Sequence, residues 1–126
     1  MILVDTSIWI EYFKGMETSL PLSALIDTNS ICINELILTE LLPSLKVRKE
    51  NELIQVLDRV EKLSIEIEWR EIVSIQTYNL KNGINRVGIP DLIIAQNAIQ
   101  NDVKLYARDK HFELMKRHIG LKLFEA

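Results

Sequence analysis

Apolar residues run unbroken from Met1 through Ile2, Leu3 and Val4 and stop at Asp5. That pattern predicts a short strand buried on both faces, as in the centre of a parallel sheet. Asp5 then falls at the carboxyl end of the strand, the edge where open α/β sheets bind ligands. Thr6 and Ser7 follow as natural caps for a helix beginning near Ile8. Asp5 is equally suited to a cap, and on this stretch alone the two readings carry equal weight.

Gly15 breaks the first helical pattern, and a second helix is expected over Leu20 to Ile26 with Pro21 in its first turn. Asp27 to Ser30 reads as a turn, Ser30 to Ile33 as a second strand, and Asn34 as the cap of a helix from Glu35 to about Leu42, ended by Pro43. This helix is apolar enough to be largely buried, yet it carries Glu40. The positions three and four residues before Glu40 are Ile37 and Leu36. Glu40 either shares a narrow polar edge with Thr39 and Glu35 or needs a partner. Lys46 to Lys49 forms a basic connection to an amphipathic helix over Asn51 to Leu63, and a third strand is predicted at Ser64 to Ile67. Trp69 to Asn82 is helical and closed by Gly83, and Gly83 to Ile89 is a loop. An apolar helix follows from Pro90 to Ile99 and places Asp91 in its first turn, a favourable location for any carboxylate. Val103 to Ala107 is the fourth strand, with Arg108 and Asp109 at its end. A helix through Phe112 and Met115 and a short strand at Leu121 to Phe124 complete the chain.

The 126 residues suffice for one domain, residues 1 to 126, with its own core. Strands alternating with helices predict an α/β fold with a doubly wound parallel sheet, whose right-handed crossovers put all the strand carboxyl ends on one edge. The single cysteine, Cys32, lies in an apolar run and suits a reducing compartment. No leader or membrane-spanning pattern is present, and a cytoplasmic location without a membrane partner is expected. The net charge of −3 excludes a protein that grips nucleic acid by overall positive field. A local basic rim remains, drawn from Arg108, Lys110 and Lys46 to Lys49.

Asp5 and Asp109 therefore share the ligand-binding edge, and Asp91 and Glu40 are within reach of it. Like charges about 4 Å apart repel by roughly 4 kcal/mol at an effective dielectric near 20, so bunched carboxylates protonate or bind metal. Oxygen donors with no second cysteine, and with His111 and His118 read as surface residues, select Mg²⁺ or Mn²⁺ over Zn²⁺. Those metals serve phosphoryl chemistry, and without a Walker loop a nuclease is the natural class.

Four blocks carry a resemblance: Met1 to Ser7, Leu38 to Leu42 around Glu40, Asp91 to Ala95, and Leu105 to Phe112 around Asp109. In this order and over nearly the whole chain they resemble the PIN domain, most closely the VapC-type ribonuclease toxins of toxin-antitoxin pairs. The resemblance implies a three-layer sandwich around a central parallel sheet of about four to five strands. It also implies a Mg²⁺-dependent endoribonuclease, with Mn²⁺ as substitute, whose metal and catalytic residues are Asp5, Glu40, Asp91 and Asp109. Thr6, Ser7, Arg108 and Lys110 would meet the RNA substrate. A cognate antitoxin would cover the crevice, and the active form would be a homodimer, for which apolar faces on the helices of residues 20 to 63 are candidates. One departure stands out: the family commonly has Ser or Thr where this chain has Ala107. A PIN-type nuclease of RNA maturation or DNA processing, and an inert PIN-like binding module, are the alternatives. A phosphate-receiver or phosphatase reading is disfavoured because no second acid follows two residues after Asp5.

Overall fold

The computed structural model describes all 126 residues. Four short strands, β1 (Ile2–Val4), β2 (Ile31–Asn34), β3 (Glu61–Leu63) and β4 (Lys104–Tyr106), form one parallel sheet in the order β3-β2-β1-β4. Seven helices flank it in a three-layer α/β arrangement: α1 (Thr6–Phe13), α2 (Leu20–Asp27), α3 (Glu35–Val47), α4 (Asn51–Arg59), α5 (Trp69–Lys81), α6 (Ile89–Gln100) and α7 (Lys110–Ile119). A single 3₁₀ turn, Glu17–Ser19, precedes α2. Helix α1 packs on both α2 and α3, and α3 on α4, while α5 packs on α6 and α6 on β4.

The central position of β1 follows from its sequence. Leu3 and Val4 are fully buried, with β2 hydrogen-bonded on one side and β4 on the other. Strand β2 is buried at all four positions, Asn34 included. Trp9, Ile8, Ile37, Leu92, Leu105 and Phe112 belong to the same continuous core.

Five expectations are corrected. Helix α3 runs through Pro43 to Val47, so Lys46 closes its last turn, and the basic stretch is helix end rather than connection. Pro43 is exposed, and the missing N–H is outweighed because the turn beyond it buries Leu45 at 1% exposure. The third strand is Glu61–Leu63, not Ser64 to Ile67, and α4 stops at Arg59 because Val60 turns extended (ψ 137°). As an edge strand with Glu61 and Lys62 exposed, β3 has no apolar pattern to announce it, and its charges blunt the open edge. The tail contributes only a parallel bridge between Leu105 and Leu123, fixed by Leu105 N to Lys122 O (2.9 Å) and Phe124 N to Leu105 O (2.8 Å). Helix α1 also begins at Thr6, so Thr6 and Ser7 form its first turn and Asp5 holds the cap position.

A buried amide relay ties the layers together. Asn34 accepts from Ile37 N (2.9 Å), capping α3, and donates through Nδ2 to Asn97 Oδ1 of α6 (2.9 Å). Asn97 Nδ2 in turn donates to the Ser64 carbonyl just beyond β3 (2.9 Å). Gln96 grips the same crossing segment at the backbone of Glu68. The residues expected to form the third strand are thus held by side chains of α6 in place of a ladder.

Candidate metal centre

The parallel sheet brings the ends of β1 and β4 side by side, and Asp5 and Asp109 stand just beyond them. The Asp5 amide donates to the Tyr106 carbonyl (2.9 Å), which fixes the two exits relative to each other. Asp5 is 7% exposed. Its carboxylate makes no capping hydrogen bond to the helix it precedes; it accepts instead from Ser7 Oγ (3.0 Å). Burial raises its pKa, the Ser7 hydroxyl and the nearby Thr6 and Ser7 amides pull it back, and the Glu40 charge raises it again.

Glu40 is not buried. It lies on the exposed side of α3, and Thr39 beside it turns its hydroxyl to the Glu35 carbonyl (2.7 Å). Glu40 Oε1 instead accepts from Thr6 Oγ1 (2.9 Å), a contact between α3 and the first turn of α1. The apolar neighbours at Ile37 and Leu41 hold that side of α3 in the core, so Glu40 is left pointing at α1.

Asp91 occupies the first turn of α6, which starts after Gly88 with Pro90 in place. Its carboxyl is raised to about 6, first by burial, then by Asp5 and Asp109 and more weakly by Glu40, while His111 pulls the other way. The other three sequence-predicted acids therefore act on this one carboxyl group. Asp109 caps α7 by accepting from His111 N (2.8 Å). Ligand atoms of Asp91, Asp109 and His111 all lie within 4.8 Å of one another. His111 was expected on the surface; instead it is half-buried beside the acids, with Nδ1 3.1 Å from Asp109 Oδ1. Its position two residues past Asp109, in the first turn of a helix capped by that acid, is the signal that could have found it.

The predicted basic residues divide. Arg108 turns away from the acids: its Nε donates to Glu11 (3.1 Å) and its Nη2 to the Thr18 carbonyl (3.2 Å), over the ring of Tyr106. Lys110 is exposed at the start of α7. Beside Glu40 an open cavity of about 320 Å³ lies between α1 and α3, lined by Ile10, Phe13, Leu41 and Leu45 with Lys14 and Arg48.

This donor set fits a hard divalent cation, since several carboxylates hold one another's charge at a cost that such an ion removes. Glu40→Gln keeps an acceptor for Thr6 and the shape of the side chain. Stability should change by less than about 0.5 kcal/mol while apparent metal affinity falls roughly tenfold. Equal metal titration curves for the two proteins would take Glu40 out of the site.

A family model, PIN domain, matches residues 2–117. Among solved structures, VapBC2 from Rickettsia felis bound to a promoter DNA fragment is similar at 24% identity and TM-score 0.71, covering 98% of each chain. FitAcB from Neisseria gonorrhoeae is similar at 18% identity and TM-score 0.71, over 99% of this chain and 97% of that one. A toxin-antitoxin complex from Klebsiella pneumoniae follows at 20% identity and TM-score 0.66, over 89% and 90% of the two chains. No curated protein matches the chain by sequence.

Proposed function

The chain belongs to the PIN domain family, and on that footing we propose that it is a metal-dependent endoribonuclease, the toxin of a toxin-antitoxin pair. The reading is supported by one observation: ligand atoms of Asp91, Asp109 and His111 gather within 4.8 Å of one another at the edge of the sheet where such folds admit a ligand. Asp5, Glu40, Asp91 and Asp109 would hold Mg²⁺ or Mn²⁺. When bound, such a cation polarises a phosphodiester and lowers the pKa of water. The remaining work falls to the protein. Ser7 and Thr6 fix the orientation of Asp5 and Glu40, supplying from α1 the hydroxyls that Ala107 lacks. The amino end of α7, capped by Asp109, steadies the fourth acid.

Incubation of the purified protein with structured RNAs, with and without Mg²⁺ or Mn²⁺, followed by mapping of the ends, tests the reading. Metal-dependent internal cuts are expected. Cleavage of DNA alone would move the protein to the DNA-processing class, and no cleavage with either metal would make it an inert binding module.

Lys110 would touch substrate phosphates, whereas Arg108 is neutralised by Glu11. Log affinity for single-stranded RNA should fall with log salt at about −0.7 per phosphate contact. Lys110→Ala should flatten that slope by roughly this amount, and Arg108→Ala by less. An identical slope in Lys110→Ala would place the RNA elsewhere on the surface.

The toxin reading also calls for an antitoxin and a second copy of the chain. The cavity beside Glu40 suits an apolar antitoxin segment with an acidic flank toward Lys14 and Arg48. For the homodimer, the helices of residues 20 to 63 expose Leu20 and Val47 only as separate points. Helix α5 exposes Trp69, Val73 and Leu80 along one side, which makes it the better surface for a second copy.

A further inference from the structure

His111 Nδ1 is screened from solvent and has no hydrogen-bond partner. Its one polar neighbour is Asp109 Oδ1 at 3.1 Å, in a direction that makes no hydrogen bond, and that oxygen is already engaged by the His111 backbone N–H. A buried ring nitrogen with nothing to donate to or accept from costs free energy in the isolated protein. The ring nevertheless borders the acid cluster, because a ligand atom of His111, one of Asp109 and one of Asp91 lie together within 4.8 Å. The separation from Asp109 also carries meaning. Two adjacent ligands of an octahedral ion with bonds of about 2.1 Å stand about 3 Å apart. The 3.1 Å between His111 Nδ1 and Asp109 Oδ1 is that edge.

We propose that His111 Nδ1 is a nitrogen ligand of the cation held by Asp91 and Asp109, so that the centre is a mixed oxygen and nitrogen site that prefers Mn²⁺ to Mg²⁺. The inference rests on the metal-dependent reading above and sharpens it. Mg²⁺ is reluctant to exchange water oxygen for imidazole, whereas the affinity order of transition metals rests on such nitrogen donors. Helix α7 supplies both ligands from its first turn. Asp109 caps the helix and His111 follows it, so the helix end sets the pair's spacing before any ion arrives. The Asp109 side chain is 41% exposed, so an ion can reach the pair from the Asp109 side.

Electron spin-echo envelope modulation of the Mn²⁺-loaded protein reads the bond directly, without reference to cleavage. Modulation from a coordinated nitrogen is expected in the wild type and its loss in His111→Asn, in which an amide oxygen can stand near the Nδ1 position. Calorimetric titration should show the ratio of Mn²⁺ to Mg²⁺ affinity falling about tenfold in the same variant. The nitrogen signal in the wild type needs no variant and so survives any failure of His111→Asn to fold. Mn²⁺ bound without nitrogen modulation, or an unchanged affinity ratio, would make His111 a mere ion-pair neighbour of Asp109 and leave the metal centre standing. No Mn²⁺ binding at all would remove both this assignment and the reading on which it rests.

Discussion

Asp91→Asn is expected to abolish RNA cleavage and, at pH 7 without metal, to make the protein more stable than the wild type. The two effects have one origin. In the unfolded chain the Asp91 carboxyl titrates at its ordinary 3.8, and in the folded protein at about 6, chiefly through burial and the nearby acids. The folded state therefore binds this proton more tightly. Asp91 favours folding fully below its unfolded value, and that contribution disappears as pH rises through 6. At pH 7 the group is charged in both states, and the folded state bears a penalty on the order of 2 kcal/mol, from burying the charge and from its acidic neighbours, that the amide relieves. Thermal melts of the metal-free proteins should show the wild type gaining stability between pH 7 and pH 5, and Asp91→Asn losing much of that dependence. Asp5, whose pKa is raised as well, adds to the wild-type trend in the same direction. With metal present the order is expected to reverse, because the proposed cation would bind only the folded wild type and stabilise it by mass action. Retained cleavage in Asp91→Asn, or a lower melting temperature than the wild type without metal, would contradict the assignment.

Asn97→Leu should destabilise the protein by about 3 kcal/mol although it replaces a polar side chain by an apolar one of similar size. Asn97 is 1% exposed and links Asn34 to the Ser64 carbonyl. Leucine would strand a buried amide N–H on Asn34 and a carbonyl on Ser64, each costing about 1 to 3 kcal/mol. The loss would spread, because Asn34 also caps α3 and pairs with Leu63 in the sheet. Chemical denaturation should show a lower midpoint with the same steepness. A loss below 1 kcal/mol would mean that the relay contributes little, and that the leucine's apolar transfer outweighs the stranded groups.

What was legible in the sequence depended on whether a residue's surroundings are local. Strands β1, β2 and β4 announce themselves through consecutive buried apolar residues: Leu3 and Val4, Ile31 to Ile33, and Leu105 with Tyr106. Helix α5 stops within one residue of expectation because Gly83 adopts a positive φ of 72° and Ile84 N bonds back to Asn79 O (2.8 Å). Edge strand β3 was misplaced because an edge has no apolar face to show. Helix α3 was cut short because the proline rule is local, while the burial of Leu45 that overrides it is tertiary. At the site, topology alone could put Asp5 and Asp109 beyond the ends of adjacent strands. The side-chain pairings could not be placed in this way: Thr6 with Glu40, Arg108 with Glu11 and Asn34 with Asn97 join residues far apart in the chain. His111 escaped for the opposite reason. Its key neighbour is two residues away, but a surface helix and a helix end facing a crevice look alike in a linear pattern.

The sheet order has a consequence for when the protein becomes competent. Strand β1 is synthesised well before its partner β4, so the crevice closes through the longest-range pairing in the sheet. Residues up to α4 can collapse around β1 and β2 while the chain is still growing, which brings Glu40 to Asp5 early. Asp109 has no place to stand until β4 docks, and that non-local pairing is the slow kind of contact. A nascent or prematurely ended chain would therefore hold half of the proposed metal site. For a protein proposed to cut RNA, the ribosome making it works beside an unfinished blade until the final strand is home.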